Sequence, residues 1–496
     1  MSPVQVVRNH PQAAALAGAT LLVLALVVPL RQSLVGSLAI PDVTVNMTGD
    51  VSDALVGDGL CDTDLVSTGE QCTLRAAVEE VNAGLGTVDT INFSIGGGGQ
   101  QTITLDALNG ALPPITESVT INGWTQPGHV DDPLIAIDGA GLGTLLDLDG
   151  GDSTVQGLAL LNAGGAAIDV DGAGTSTVRG NWIGVDLDGV TPAGPVGDGI
   201  VVQPAATGTT IGGTGPNDGN VVANAGDDGI HVMAAATDVV GNLVGTAPDG
   251  TTAMGATADG VRVDAATGVA IEGGTIANNG GNGVTVVNGA DDVAVVGTTI
   301  SANTGLAIDL GDDGPTANDV GDTDLGDNGL LNHPTVEATG VASVDVEVDT
   351  DIAAGTDIRV DVFRSSTGGD PEADELIGST TVTSTGAAQT VTVPTSQLAA
   401  GDLLRTTTTE DLGGGSHGAT SELSPAATVT LAVVNSSGDA ADAAPADGIC
   451  DTGAPNADGD PECTLRAALD SAAASAVDGV ASVSYTHLTL PTIYSV

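Results

Sequence analysis

Apolar and polar residues alternate in short repeated units between residues 96 and 334. A glycine that opens an apolar strand recurs as "GIVV" at Gly199, "GIHV" at Gly229, "GVRV" at Gly260, "GVTV" at Gly283 and "GLAI" at Gly305. The later steps are 23 and 22 residues, and the earlier steps of 30 and 31 residues contain extra loop. Each unit is long enough for several short strands but too short for a four-stranded propeller blade of about 40 residues.

A second series marks another strand of the same unit. It reads "TVQG" at Gly157, "TVRG" at Gly180, "VVGN" at Gly241 and "VVGT" at Gly297. A unit of this length buries its apolar face only by stacking on its neighbours, which is typical of one coil of a parallel β-helix. Asn181 and Asn242 follow the glycine in two units, where we expect left-handed geometry or a stacked asparagine ladder. A β-sandwich is the rival interpretation.

The segments on either side of this region have different patterns. Thr73 is a candidate N-cap for a short helix whose apolar face carries Leu74, Ala77 and Val78, and "DTINFSI" after it alternates like a strand. Residues 335–431 contain six alternating segments separated by Gly, Pro and Asp turns, which predicts a small Ig-like antiparallel sandwich.

One module occurs twice in the chain. "NMTGDVSDALVGDGLCDT" from Asn46 aligns without gaps to "NSSGDAADAAPADGICDT" from Asn435, and "CTLRAA" follows in both copies. Each copy holds a local cysteine pair, Cys61 with Cys72 and Cys450 with Cys463. We expect disulfides, because no four-ligand zinc set that includes the scattered histidines forms near either pair.

The stretch Cys72-Thr73-Leu74-Arg75 and the residues after it resemble the CSLREAI motif of large extracellular bacterial and archaeal proteins. "NGWTQPG" from Asn122, "GNWIGVDLDG" from Gly180 and "TSELSP" from Thr420 also resemble segments of these proteins. The resemblance implies a cap motif that precedes a pectin-lyase-like right-handed β-helix and a trailing sandwich domain. It implies a surface or adhesin-like protein and gives little indication of any chemical activity.

Both ends of the sequence differ from its middle. Residues 1–39 contain the apolar run "AAALAGATLLVLALVVPL" after Arg8, which predicts a signal peptide or a retained membrane anchor. Residues 483–496 include "VSYTHLTLPT", which resembles a translated sequencing adapter. We therefore expect the natural chain to continue into further modules and a C-terminal anchor.

Charge narrows the classes of partner. The 496 residues include 64 acidic and nine basic ones, all arginine, for a net charge of −55. Such a surface repels nucleic acid and anionic membranes, which are bound through clustered cations. Three explanations of the acidity stay open: adaptation to salt, GC-rich coding and calcium binding. The first is possible because salt screens the repulsion between like charges.

Calcium is the one cofactor that the sequence favours, and none is required for the fold. Carboxylates recur at close intervals on a glycine-rich loop, as a hard, oxygen-seeking cation requires. The candidates are Asp309, Asp312, Asp313, Asp319, Asp322, Asp324 and Asp327. A solvated acidic loop is the alternative. Asn46, Asn92 and Asn435 begin glycosylation sequons, and we interpret His231 as an ordinary outward-facing strand residue.

We predict no catalytic residue. A polyuronate lyase needs cations around its substrate, and this region offers only Arg179 and Arg262. A hydrolase needs carboxylates at a defined separation, but pairs such as Asp227–Asp228 and Asp291–Asp292 arise readily in so acidic a chain. Sugar clefts usually present aromatic platforms, and only Trp124 and Trp182 are available.

The sequence therefore predicts a mainly β protein with six parts. They are a signal peptide or anchor (1–39), a disulfide-stapled cap (40–95), a right-handed parallel β-helix (96–334), an Ig-like β-sandwich (335–431), the start of a second cap module (432–482) and the adapter-like tail (483–496). We expect an extracellular or cell-surface structural and adhesive protein that contacts cell surfaces, glycans or other extracellular proteins. It touches a membrane only through an anchor. The alternative is a polysaccharide lyase or glycoside hydrolase of the same fold.

Overall fold

The computed structural model describes residues 42–67, 69, 71–84, 89–322, 325–339, 342–366, 372–399, 401–429, 438–444, 450, 452–455, 462–464, 466–467 and 470. The predicted N-terminal segment and the adapter-like tail lie outside this range. One α-helix is described, α1 (Leu74–Asn82), together with 3₁₀ turns at Gly123–Thr125 and Asp327–Leu330. No helix in these residues is long and apolar enough to cross a membrane.

In the described residues, twenty-four short strands precede residue 311. In chain order they are β1 (Val43–Val45), β2 (Asp89–Phe93), β3 (Gln101–Thr104), β4 (Val119–Asn122), β5 (Ile135–Asp138), β6 (Leu146–Leu148), β7 (Thr154–Gln156), β8 (Leu158–Leu161), β9 (Ile168–Val170), β10 (Thr177–Arg179), β11 (Trp182–Ile183), β12 (Ile200–Val202), β13 (Thr210–Gly212), β14 (Val221–Val222), β15 (Ile230–Val232), β16 (Asp238–Val240), β17 (Leu243–Val244), β18 (Val261–Asp264), β19 (Ala270–Glu272), β20 (Thr275–Ala277), β21 (Val284–Val287), β22 (Ala294–Val296), β23 (Thr299–Ser301) and β24 (Ile308–Leu310).

These strands form three parallel sheets. Sheet A has nine strands in the order β1-β2-β4-β7-β10-β13-β16-β19-β22, sheet B has eight in the order β3-β5-β8-β11-β14-β17-β20-β23, and sheet C has seven in the order β6-β9-β12-β15-β18-β21-β24. The chain visits sheets A, B and C in turn and then begins the next coil. The fold is therefore a right-handed parallel β-helix, as the sequence predicted.

Each sheet turns one apolar column toward the shared core. In sheet A, Val155 pairs with Val178, Val178 with Ile211, and Ile211 with Val239. All four side chains are buried in the same cluster. β-Branched residues suit this position because their stiff side chains pack well on a pleated surface. The two glycine-marked series of the sequence correspond to strands of sheet C and sheet A.

An asparagine ladder fixes the corner between sheets A and B. Asn181 donates from its backbone N and from Nδ2 to Asn220 Oδ1, both at 3.0 Å. Asn220 donates in the same way to Asn242 Oδ1 at 2.9 and 3.0 Å. All three residues are buried. The predicted ladder is confirmed, and Asn220 is a member that the sequence analysis missed.

The N-terminal module covers the first coils. β1 adds a parallel strand to β2, and Leu74, Ala77 and Val78 of α1 are buried in the same cluster as the coils. The helix begins after Thr73, whose Oγ1 accepts the Ala76 N–H at 3.1 Å, as an N-cap does.

Disulfides join both predicted cysteine pairs, Cys61 to Cys72 and Cys450 to Cys463. The second module also repeats the N-cap hydrogen bond, because Thr464 Oγ1 accepts the Ala467 N–H at 3.0 Å. The two copies of the sequence motif thus share the disulfide and the N-cap hydrogen bond.

The C-terminal part forms two antiparallel sheets with a common core. Their strands are β25 (Thr335–Thr339), β26 (Ser343–Val348), β27 (Asp357–Ser365), β28 (Glu375–Thr383), β29 (Gln389–Pro394), β30 (Leu403–Gly413), β31 (Ser416–Thr420) and β32 (Ala427–Thr428). We call this part the antiparallel unit. Its Ig-like classification and the predicted domain boundaries stay predictions.

The antiparallel unit closes the last coil of the β-helix. Thr420 donates its N–H to Val293 O at 2.9 Å, and its Oγ1 accepts the Val295 N–H at 2.9 Å. Ala373 forms an antiparallel bridge with Ile300. Phe363, Ala373 and Leu423 lie in the same buried cluster as the coils. Backbone groups that an end coil would expose are therefore paired at this end.

Candidate functional site

The outward face of sheet C carries a row of mostly polar side chains. The middle residues of its seven strands are in register and form one row. From β6 to β24 the row reads Asp147, Asp169, Val201, His231, Arg262, Thr285 and Asp309. In β6 the residues on either side, Leu146 and Leu148, are buried in the core. The period of two in each strand therefore places this row, polar except for Val201, on the face of the sheet opposite the core.

Two carboxyl groups at the start of this row lie close together. Asp147 and Asp169 occupy paired positions on adjacent strands, which are about 4.8 Å apart in any sheet. Burial raises the pKa of Asp147 to about 6, and the charges of Asp149 and Asp169 add to the effect. Burial also raises the pKa of Asp169, while a hydrogen bond from Gln203 opposes the shift.

A second ladder runs along the corner that leads into sheet C. The Asp228 N–H donates to Asp198 Oδ1 and the Asp259 N–H to Asp228 Oδ1, both at 2.9 Å. The Asn282 N–H donates to Asp259 Oδ1 at 2.8 Å. Each of the three aspartates is the residue before the glycine of a repeated unit, so the coil period stacks them. Burial raises the pKa of Asp228 to about 6, against the opposing effect of its hydrogen bond from Asp259.

His231 belongs to the central row and lies beside this corner ladder. Its Nδ1 is 3.8 Å from Asp198 Oδ2 and its Nε2 is 4.0 Å from Asp264 Oδ2. Proximity to Asp198 raises the pKa of His231 although burial opposes the shift. In the described part of the chain, only Asp198, Asp228 and His231 form a set of three metal-ligand side chains whose ligand atoms lie within 4.8 Å of one another.

The predicted calcium loop is arranged differently from a cation cage. Asp309 Oδ2 accepts Asn282 Nδ2 at 3.2 Å, and Asp312 lies 3.5 Å from Arg262. Asp327 Oδ1 accepts the Gly289 N–H at 2.6 Å, and the Asp319 N–H donates to Asn332 Oδ1 at 3.1 Å.

The remaining loop residues serve similar ends. Buried Asp322 accepts backbone N–H groups of Asn332 at 3.1 Å and Asp351 at 3.3 Å. The Asp313 N–H donates to Asp309 Oδ1 at 3.3 Å, and Asp324 lies outside the described residues. Most of these aspartates bond backbone or side-chain groups of the loop and its neighbours, so calcium binding here stays a prediction.

The loop ends at a cavity between the β-helix and the antiparallel unit. The cavity, of about 300 Å³, is lined by the carboxylates of Asp291, Asp292, Asp322, Asp351 and Glu410, among others. Burial raises the pKa of Glu410, and the charges of Asp292 and Asp351 raise it further. The pair Asp291–Asp292, considered above as a hydrolase candidate, therefore lies at this junction.

The two tryptophans lie on another side of the β-helix. The Arg179 guanidinium is 5.2 Å from the centroid of the Trp124 ring, a cation–π distance. Trp182 lines a groove of about 360 Å³ together with Val221, Leu243 and Pro248, and the polar residues Asp131, Asp132 and Asn217 line it too. A groove that combines an aromatic ring with carboxylate and amide groups suits an amphipathic ligand.

The predicted glycosylation sites fall in three settings. Asn46 lies in the cap, where its Oδ1 accepts the Cys72 N–H at 3.0 Å. Asn92 lies on β2 in register with Asn122 of β4. Asn435 lies outside the described residues. Glycosylation stays a prediction.

Comparisons with known proteins add little to this geometry. No protein-family model matches the sequence, and no curated protein matches it. Among solved structures, the chain is similar to the full-length tailspike protein 2 of Escherichia coli O157:H7 bacteriophage CAB120, with 11% sequence identity and a TM-score of 0.27. That match covers 67% of this chain and 57% of the tailspike chain. The assignment of the β-helix rests on the strand order of the three sheets.

Proposed function

We propose that the chain is a secreted or cell-surface structural and adhesive protein of the CSLREAI type, with an Ig-like antiparallel unit and no catalytic activity. The observation that carries the proposal is that dedicated modules close both ends of the β-helix. Sheet A starts at β1 of the disulfide-stapled cap, and the final coil pairs with Thr420 of the antiparallel unit. A stack closed in this way is a stiff rod of fixed length rather than a template for other strands.

An extracellular location is supported by covalent chemistry. Disulfides persist in oxidising surroundings outside the cytoplasm, and both described cysteine pairs are bonded. The net charge of −55 disfavours nucleic acid and anionic membranes as partners. Cell surfaces, uncharged glycans and other extracellular proteins are the partners that remain, and the groove at Trp182 is the surface that we assign to them.

The experiment for this proposal measures binding and turnover together. The full chain is applied to immobilised glycans and to cells, and binding is compared between the native protein and Trp182→Ala. Leu108→Ala is the control, because Leu108 is 93% exposed and lies outside the groove. We expect saturable binding that Trp182→Ala weakens and Leu108→Ala leaves unchanged. Equal binding by all three proteins would remove the groove from the proposal.

Calcium belongs to the proposal as a stabilising ion of the acidic loop between Asp309 and Asp327. Carboxylate oxygens suit this cation. Thermal melts with calcium and with a chelator, both at constant high salt, test the idea. If calcium does not raise the melting temperature, the aspartates serve only as hydrogen-bonding groups of the loop and its neighbours.

A carbohydrate-active enzyme is the second candidate, and one observation favours it. Asp147 and Asp169 are paired on adjacent strands, which lie about 4.8 Å apart in a sheet, and retaining glycosidases use two carboxyl groups about 5 Å apart. A pKa of about 6 for Asp147 suits a general acid. Release of reducing or unsaturated ends from a panel of polysaccharides, lost in Asp147→Asn, would establish the enzyme and overturn the non-catalytic proposal.

A further inference from the structure

We propose that Asp198, Asp228 and His231 bind one divalent transition-metal ion of the Zn²⁺ type on the outward face of sheet C. Asp198 and Asp228 come from the corner of two successive coils, and His231 follows Asp228 by three residues on β15. Their ligand atoms lie within 4.8 Å of one another, in a set of one nitrogen and two oxygen ligands. The site is distinct from the predicted calcium loop and from the groove at Trp182.

The fold holds both carboxylates in place before any ion arrives. Asp198 uses Oδ1 to accept the Asp228 N–H, and Asp228 uses Oδ1 to accept the Asp259 N–H. Asp198 then turns Oδ2 toward the His231 ring. Hydrogen bonds of this kind orient metal ligands and are as much part of a metal site as the ligands themselves.

Neither ring nitrogen of His231 lies within hydrogen-bond distance of the carboxylate beside it, Asp198 for Nδ1 and Asp264 for Nε2. Its Nε2 is shielded from solvent and has no hydrogen-bond partner. Its Nδ1 is 3.8 Å from Asp198 Oδ2, which is too long for a hydrogen bond. Two atoms that bind the same Zn²⁺ at about 2.0–2.2 Å are separated by roughly 3 to 4 Å. The distance from His231 Nδ1 to Asp198 Oδ2 is therefore too long for a shared proton and suits two ligands of one metal ion.

The ligand set favours a transition metal over calcium. Calcium takes six to eight oxygen ligands, whereas imidazole with carboxylates suits Zn²⁺ and its neighbours in the series. The adjacent cation of the row, Arg262, lies 3.3 Å from Asp259 and 3.5 Å from Asp312. Asp264 Oδ2 lies 4.0 Å from the other ring nitrogen of His231, Nε2.

The rival explanation is an imidazolium that neutralises the surrounding carboxylates. It uses the same residues but binds a proton rather than a metal. The two explanations differ in an optical and a thermal property, because only a bound transition metal gives ligand-field absorption and a melting temperature that depends on metal concentration.

The experiment uses the full chain without a histidine tag, stripped with chelator and kept at pH 7 in high salt. Zn²⁺ is titrated by calorimetry, and Co²⁺ replaces it as the visible-absorption probe. We expect one equivalent of Zn²⁺ bound at this site, and a Co²⁺ spectrum that Zn²⁺ abolishes. His231→Ala and Asp198→Asn should each weaken binding at least 10- to 100-fold.

Asp169→Asn is the matched control, because it removes one carboxylate from the same face without removing a ligand. Circular dichroism checks that each variant folds. Unchanged Zn²⁺ affinity in Asp169→Asn supports the site. Equal losses in Asp169→Asn and Asp198→Asn, binding of Ca²⁺ as tight as Zn²⁺, or no saturable binding by the native chain would each overturn the proposal.

Discussion

Replacing Arg75 with methionine tests whether the cap is held to the β-helix by a buried ion pair. The Arg75 side chain is 5% exposed and that of its partner Asp50 is 2% exposed. Arg75 donates to Asp50 Oδ1 at 2.8 Å and to Oδ2 at 3.0 Å. It also donates to the carbonyl oxygens of Gly110 at 2.7 Å and Ala111 at 2.9 Å, beyond the cap.

The expected cost follows from what the substitution leaves behind. Methionine preserves most of the side-chain volume but leaves the Asp50 carboxylate buried without its cation. Breaking a buried pair in this way costs about 3–5 kcal/mol. The remaining bond to Asp50, from the Asp106 N–H at 2.7 Å, offsets part of that loss. We expect the free energy of opening the cap to fall by about 4 kcal/mol.

Hydrogen exchange of the α1 amides measures this free energy locally, without requiring the whole chain to unfold in one step. Since each 1.4 kcal/mol is a factor of ten, exchange should accelerate roughly 1,000-fold. Arg466→Met is the control, because Arg466 makes the same pair with Asp439 at 2.8 Å but the two side chains are 53% and 78% exposed. We expect no measurable effect there. A change below 1 kcal/mol in Arg75→Met, or an equal effect in Arg466→Met, would refute the reasoning.

Three further changes test other parts of the fold. Because the pKa of Asp147 is raised to about 6, its contribution to stability is present below pH 4 and is lost as the pH rises through 6. In urea unfolding at pH 7, Asp147→Asn should therefore be more stable than the native chain by about 1 kcal/mol after solvent screening. A difference in stability that does not change with pH would contradict this. Asn220→Ala removes the acceptor of the Asn181 N–H and the side-chain donor to the Val178 carbonyl. Unfolding should therefore become about 2 kcal/mol easier, and a change of less than 1 kcal/mol would discount the ladder. Replacing Cys61 and Cys72 by serine opens an 11-residue loop and should lower the stability of the cap by about 3 kcal/mol. Proteolysis of the cap should then be faster, and an unchanged rate would show that packing alone holds the cap.

The sequence predicts sheets A and C because glycine marks their strands at a regular step. Sheet B carries no such mark. Its strands β11, β14 and β17 have two residues each, too few for an alternating pattern. Asn220 escaped for a similar reason, since the loop before it shifts its spacing from Asn181. Short strands that depend on stacking leave only a faint signal along the chain.

The cluster around His231 shows what periodic reasoning could have found. Asp198, Asp228 and Asp259 each precede the glycine of a repeated unit, so their stacking follows from the period that defines the coils. Taken alone, His231 fits an ordinary outward-facing strand residue, and only the stacked aspartates beside it reveal the cluster. Contacts across the end of the stack could not be predicted, because Thr420 meets Val295 over a separation of 125 residues and no repeat connects them.

Two hairpins interrupt the corner between sheet B and sheet C, and the coils between them fix the distance from one hairpin to the other. Each contains an antiparallel bridge, Val185 with Pro192 in one and Thr246 with Ala253 in the other. One coil without such a bridge, that of β14 and β15, separates them. Since strands stack about 4.8 Å apart, the hairpins project from the rod about 10 Å from each other. A peptide inserted at both tips would be displayed at that spacing, and adding one coil between them would lengthen the spacing by one fixed step. The distance between the two tips is therefore set by the backbone hydrogen bonds that stack the coils.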